Sequence, residues 1–264
     1  MGRIKKTTTI KEALDIHPGD VISLTGGGGK TSLMFAMAKE LIVPGRLIIT
    51  TCTTKMFPPS HSDSPNLFIS NKEEEIFNHI HLYGKTVEHI CLAREKDHSS
   101  GKLRGLHPGV ILRLSELDPV TYIIVEADGS AQRSLKAPDI RFEPVIPRNS
   151  TLIVPVVGID ALGKKLEEGV VFRSEIASRV TGTDLGGVVT LDTIATLMTH
   201  PSGLTHGSPV KARIIPFINK TDLPDGLLQG KKLACKILGA GHPQVKKVVM
   251  GHMRHIPVIE DIIV

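Results

Sequence analysis

Four consecutive glycines, Gly26, Gly27, Gly28 and Gly29, run directly into Lys30, Thr31 and Ser32. Residue types in this order suit a polyphosphate. Positions without a Cβ let successive backbone N–H groups turn inward around an anion, and a helix starting near Thr31 aims its positive dipole end at the same charge. Lys30 would reach the β- and γ-phosphates, and Thr31 would ligate Mg²⁺. The general spacing calls for a further glycine five places before Gly29; Leu24 stands there, so the loop is shortened or variant.

Two further clusters could complete such a site. Val120–Val125 is strand-forming and delivers Glu126 and Asp128, two carboxylates one residue apart, at its carboxyl end. This looks like a Walker B strand, in which both acids share one face, one serving the metal and the other the attacking water. The plainer alternative is that they cap the next turn or pair with Arg133. Farther on, an apolar strand ends in Asn219-Lys220-Thr221-Asp222, which resembles the guanine-specificity motif of GTPases. Asp222 would accept from the two N–H groups of guanine's Watson–Crick edge, a donor pair that adenine lacks. Lys220 would lay its alkyl stem along the base, and Asn219 would tie this loop to the glycine loop. The structural alternative is a strand-to-helix turn capped by Asp222 ahead of Pro224.

Two loops at the same sheet edge carry additional polar side chains. Thr50, Thr51, Thr53 and Thr54 stand at the carboxyl end of the second strand, where they would complete a Mg²⁺ shell or sense the γ-phosphate as a switch; the plainer alternative is that Thr50 and Thr51 satisfy strand propensity and the rest hydrogen-bond locally. After Asp128, Arg133 and Lys136 would neutralise a transition-state phosphate or grip a second anionic substrate, whereas Arg141 and Arg148 read as solvated or ion-paired surface residues.

The elements that must position these residues alternate between strand and helix, the pattern of an α/β fold with a mainly parallel sheet and helices on both faces. Helices are expected at 10–16, 32–42, 108–117, 174–180, 191–200 and 224–238, with another after Ser70, whose spacing to Glu73 suits a capping box. Strands are expected at 20–24, 46–51, 66–70, 86–93, 120–126, 151–157, 213–218 and 245–250, and Arg94–Lys102 reads as a surface loop. The 264 residues, 41% hydrophobic, suffice for one nucleotide-binding domain over 1–264, with room for an inserted substrate or partner subregion at about 129–210.

Composition narrows the function. Mean hydropathy is +0.07, no apolar run is long enough to span a membrane, and the first residues lack the apolar stretch of a signal peptide, so a cytoplasmic location is expected. Cys52, Cys91 and Cys235 lack metal or disulfide spacing. The pairs His79/His81 and His252/His255 have no adjacent cysteine or acid pair, which argues against a metal site there. A net charge of +5 suits an anionic small molecule, and with 3% aromatic residues nucleic acid is not expected as a partner.

Taken in order, Gly-Gly-Gly-Lys-Thr, the threonine run, Val-Glu-Ala-Asp-Gly-Ser, Leu-Lys-Ala-Pro, Glu-Pro-Val-Ile-Pro, Val-Val-Gly-Ile-Asp-Ala-Leu-Gly and Asn-Lys-Thr-Asp resemble the YqeC family. The likeness runs from Val21 to about Asp222. It implies an accessory role for selenium-dependent molybdenum hydroxylases, or in selenium cofactor biosynthesis, with such a hydroxylase or its cofactor as partner. Asp160 belongs to the family pattern, with turn capping as its simplest role; Cys52 interrupts what is more often an unbroken threonine run. Broader likenesses divide. Gly-Lys-Thr, Val-Glu-Ala-Asp-Gly and Ile-Asn-Lys-Thr-Asp-Leu resemble the GTPases that load nickel enzymes, while Leu24–Ser32 resembles the ATP loop of the Mur ligases. The expected function is therefore a P-loop NTPase-like protein binding Mg²⁺ with GTP or ATP, a slow hydrolase, with a homodimer as one assembly. A ligase- or kinase-type transferase and a nucleotide-gated module without turnover are the alternatives.

Overall fold

The computed structural model of the chain describes residues 8–254 and 256–264. The first elements are α1 (Ile10–Ala13), β1 (Val21–Gly26), α2 (Lys30–Glu40), β2 (Leu47–Cys52), β3 (Lys55–Met56), β4 (Leu67–Ile69) and α3 (Glu73–Tyr83). Next come β5 (His89–Ala93), β6 (Glu95–Lys96), β7 (Leu103–Arg104), α4 (Pro108–Leu114), β8 (Val120–Glu126), β9 (Leu135–Lys136) and β10 (Leu152–Gly158). The last third contributes β11 (Val171–Phe172), α5 (Ser174–Thr181), α6 (Leu191–Thr199), β12 (Arg213–Ile214) and β13 (Phe217–Asn219), then α7 (Gly226–Gly239), β14 (Val248–His252) and β15 (Val258–Ile263).

Strands β1, β2, β5 and β10 are buried along their whole length, so their sequences are near-continuous apolar runs, as parallel strands covered on both faces require. They form the centre of one sheet in the order β15-β14-β13-β10-β1-β8-β2-β5-β4, with β12 also pairing β10. Pairing within it is parallel except for β15, which runs antiparallel to β14. Alternate side chains sort to opposite faces. Leu152, Val154 and Val156 of β10 pack with Leu33, Met34 and Met37 of α2, whereas Ile153 and Val157 pack with Ile194 and Leu197 of α6 and Leu233 and Ile237 of α7. At the other end of the sheet, Ile49, Ile90 and Ile123 are covered by Ile76 and Ile80 of α3 and Val110, Ile111 and Leu114 of α4. The architecture is the expected α/β one with helices on both faces, a P-loop NTPase-like fold. The range 129–210 gives the central sheet one strand, β10, and adds the small β9–β11 pair.

The chain leaves β1 toward β2 on one side and returns after β8 to β10 on the other. Strand order therefore reverses at β1, and the glycine loop sits at that switch point, outside the carboxyl ends of the strands.

Several local expectations are corrected. Residues 94–102 are not a plain loop: β6 and β7 form a hairpin that pairs with β3 in a three-stranded sheet. No capping box forms at Ser70 and Glu73, because the Ser70 hydroxyl accepts from the Lys72 N–H and donates to Glu75; capping boxes occur instead at Thr9 and Thr190. The strand expected over 213–218 is two, since Pro216 between them has no N–H to give the ladder. The strand expected from Thr86 begins at His89, and β15 was not anticipated.

Candidate functional site

The loop between β1 and α2 is built by exclusion of side chains. A Cβ on Gly28, which has φ +73°, would lie 2.1 Å from the Gly158 nitrogen, and one on Gly29, with φ +119°, would lie 2.2 Å from Asn219 Nδ2. The loop is thus wedged between β10 and the Asn219 turn. It is also tied inward: the N–H of Gly26 donates to Asp128 (3.0 Å), that of Gly27 to the Val156 carbonyl (2.9 Å) and that of Gly28 to the Arg133 carbonyl (2.9 Å). This corrects the expectation that successive glycine amides turn inward around an anion, because the N–H groups of Gly26, Gly27 and Gly28 are already given to acceptors of the protein itself. The anion-facing donors left are those of the first turn of α2, which has no side-chain cap at Gly29.

Lys30, Thr31, Glu126 and Asp128 lie together. Leu24 and Cys52 flank Glu126 in register, so β8 delivers the carboxylate beside the loop. Thr31 Oγ1 donates to Glu126 Oε2 at 2.7 Å. Lys30 Nζ lies 2.5 Å from the Gly26 carbonyl, 3.1 Å from Asp128 Oδ1 and 3.8 Å from Glu126 Oε1. Burial pulls the Lys30 ammonium toward its neutral form, but Asp128 and then Glu126 outweigh that and hold its pKa above the ordinary lysine value. Burial has the upper hand at Glu126, whose pKa is raised despite Lys30 and Thr31. Thr31 Oγ1 and Glu126 are hard oxygen donors fit for Mg²⁺ if phosphate oxygens and water complete the shell. Among the described residues no group of three or more His, Cys, Asp or Glu could hold a metal alone.

Lys136 is fully buried. Its ammonium contacts Glu143 (2.5 Å), the Gly129 carbonyl (2.6 Å) and Asp128 (3.2 Å), which occupies all three N–H donors. Arg173 completes this chain of charges by donating to Glu143. Arg133 lies at the cavity rim, its guanidinium donating to the carbonyls of Glu168 (2.9 Å) and Ala131 (3.1 Å). The Thr51 hydroxyl donates to the Leu92 carbonyl and that of Thr53 to the Val145 carbonyl, while Thr54 Oγ1 is buried without a partner.

Asn219 is buried and bridges two loops, donating from Nδ2 to the Gly28 carbonyl (2.7 Å) and accepting at Oδ1 from the Met253 N–H (3.2 Å). Lys220, in the left-handed region at φ +66°, contacts Ser134 Oγ (2.7 Å) and Asp160 (2.9 Å). Asp222 is exposed on a cavity of about 390 Å³ shared with Asp160, Leu223, Met253 and Arg254. A second cavity, of about 270 Å³, is lined by Lys30, Thr31, Glu126 and Arg133, by Lys55 of β3 and by Lys102, which immediately precedes β7. Gly28, Gly29, Ser32 and Lys220 line both. Lys55 and Lys102 escaped the sequence reading because neither β3 nor the β6–β7 hairpin carries a motif, and Asp160 was readable only as a turn residue. His79 stacks on Phe68 with centroids 3.9 Å apart; His255 of the other histidine pair lies outside the described residues, as do the first seven residues.

A parallel sheet with its order reversing at β1, a glycine loop at that point and a Lys–Thr pair facing strand-end carboxylates define a P-loop NTPase-like α/β protein. The family model for the YqeC protein matches residues 22–175, and the chain belongs to that family. It is 34% identical over 200 residues to the Escherichia coli (strain K12) "Uncharacterized protein YqeC", an alignment covering 76% of this chain and 75% of that one. No solved structure matches it.

Proposed function

We propose that this member of the YqeC family binds Mg²⁺ and a nucleoside triphosphate, GTP in preference to ATP, and hydrolyses it slowly. In this reading it assists maturation or cofactor insertion of a selenium-dependent molybdenum hydroxylase, with nucleotide turnover driving a change of conformation. The observation that carries the nucleotide half is that the two cavities adjoin, Gly28, Gly29, Ser32 and Lys220 lining both. A base beside Asp222 and phosphates at the start of α2 would fit one extended ligand. The hydroxylase as client rests on the family resemblance.

Lys30 would exchange part of its contact with Asp128 for phosphate oxygens, and the amides at the start of α2 would receive the same charge. Thr31 and Glu126 would hold Mg²⁺, which supplies charge neutralisation on the phosphates. Asp128 would keep Lys30 oriented. A transferase acting on a small anionic substrate is the second reading, supported by Arg133 at the rim of the phosphate cavity.

Titration with non-hydrolysable GTP and ATP analogues plus Mg²⁺ tests the proposal. Lys30→Ala should weaken binding by about a hundredfold or more, since a charge-assisted contact to each of two phosphates is lost. Asp222→Asn should abolish the preference for GTP. Equal GTP and ATP affinities in the native protein and in Asp222→Asn would refute guanine selection, and product formation without free phosphate would favour the transferase.

A further inference from the structure

We propose that Lys102, carried by the β6–β7 hairpin, contacts the terminal phosphate of the nucleotide and makes the site selective for triphosphate over diphosphate. The inference rests on the nucleotide reading above. Its first support is direction. The cavity beside Asp222 shares Gly28, Gly29, Ser32 and Lys220 with the other cavity, but Thr31, Glu126 and Lys102 line only the latter. A nucleotide with its base at Asp222 therefore points its last phosphate toward Lys102.

The second support is the pairing of charges around that cavity. Lys30 faces Asp128, Lys55 pairs with Asp97 at 2.6 Å, Lys220 pairs with Asp160 at 2.9 Å, and Arg133 donates to two carbonyls. Lys102 differs: among the described residues no carboxylate lies within ion-pair distance of its ammonium, which instead rests 4.7 Å from the centre of the Phe57 ring. It lines the same cavity as Glu126 and Thr31. An ammonium held over an aromatic face, without an acid, keeps its hydrogen-bond donors for an incoming anion.

The third support is how firmly the hairpin is placed. The Gly105 N–H donates to the Thr54 carbonyl (2.9 Å) and the Leu106 N–H to the Cys52 carbonyl (2.8 Å), while the Thr53 N–H donates to the Glu126 carbonyl (3.1 Å). Gly105 packs so closely that a Cβ there would lie 1.9 Å from the Cys52 carbonyl oxygen. Leu103, next to Lys102, is completely buried. The small sheet is thereby fastened to the end of β2 and to Glu126, and Lys102 is supplied from within the same chain, as an arginine finger would be.

The test is the ratio of affinities for a non-hydrolysable GTP analogue and for GDP, both with Mg²⁺, in the native protein, Lys102→Gln and Lys102→Arg. Lys102→Gln should lose about tenfold in triphosphate affinity with GDP affinity unchanged, and Lys102→Arg should restore most of the difference. An equal loss for both nucleotides, or none, would overturn the role of Lys102 while leaving nucleotide binding intact. Absence of any Lys30-dependent nucleotide binding in the native protein would overturn this inference together with the reading beneath it. Matching thermal midpoints of the three proteins would show that the ratio does not report a folding defect.

Discussion

An alanine at Gly28 would bring a methyl group against the backbone nitrogen of Gly158 while holding φ at +73°. Neither partner is a flexible side chain that could swing away. Gly28→Ala is expected to cost roughly 2–4 kcal/mol, measured by urea denaturation, because a strained backbone and a backbone clash add. The glycine run was fully readable in the sequence; its packing role was not, since Gly158 lies far along the chain. Histidine offers a pH signature. His89 is buried, accepts or donates at Nε2 to Thr50 (2.9 Å), and has its pKa lowered by burial to about 4. The unfolded chain binds that proton below about pH 6.5, so stability should fall as pH drops from there toward 4, by on the order of 3 kcal/mol. His89→Gln should flatten this limb of a pH series of unfolding midpoints relative to the native protein, and an unchanged slope would contradict it.

The strand that ends in Glu126 and the short strand that carries Lys136 meet through charge rather than through apolar packing. Removing the cation leaves two carboxylates, Asp128 and Glu143, buried without it. Lys136→Met should therefore destabilise by roughly 3–5 kcal/mol, read from chemical denaturation, whereas an exposed pair such as Lys236–Asp192 should contribute little when broken. Glu126 and Asp128 were visible in the sequence as carboxylates at a strand end, and Lys136 as a cation on the loop after them, read there as a grip for phosphate or a second anion. That Lys136 would be wholly engaged inside the protein was not visible, because its partner Glu143 lies on a later loop with no periodic relation to it. The β3–β7–β6 sheet escaped for a different reason: each of its strands is two residues long, and such a segment has no periodicity to read. The long buried strands β1, β2, β8 and β10 were recovered within a residue or two, as their unbroken apolar runs allow, whereas β5 and β14 each start three residues later than expected.

The whole molecule follows from where the chain crosses over. Its α/β class was readable from alternation of strands and helices, but strand order was not, since two-sided burial makes the central strands look alike in sequence. The order has a temporal consequence. β1 pairs with β8 and β10, and both neighbours are encoded roughly a hundred residues or more after it. A fragment of residues 1–118 contains the glycine loop and all of α2 yet lacks both neighbours; it should stay protease-sensitive across residues 21–40, where the full chain resists cleavage. Protection of that segment in the fragment would show that β1 folds against other partners. On a ribosome adding ~5–20 residues per second, the interval from β1 to β10 is on the order of ten seconds. For that time Leu33, Met34, Phe35 and Met37 lack part of the sheet they cover in the folded chain, first β8 and then β10, which makes the emerging first third of this chain a natural client for a chaperone that shields apolar segments during synthesis.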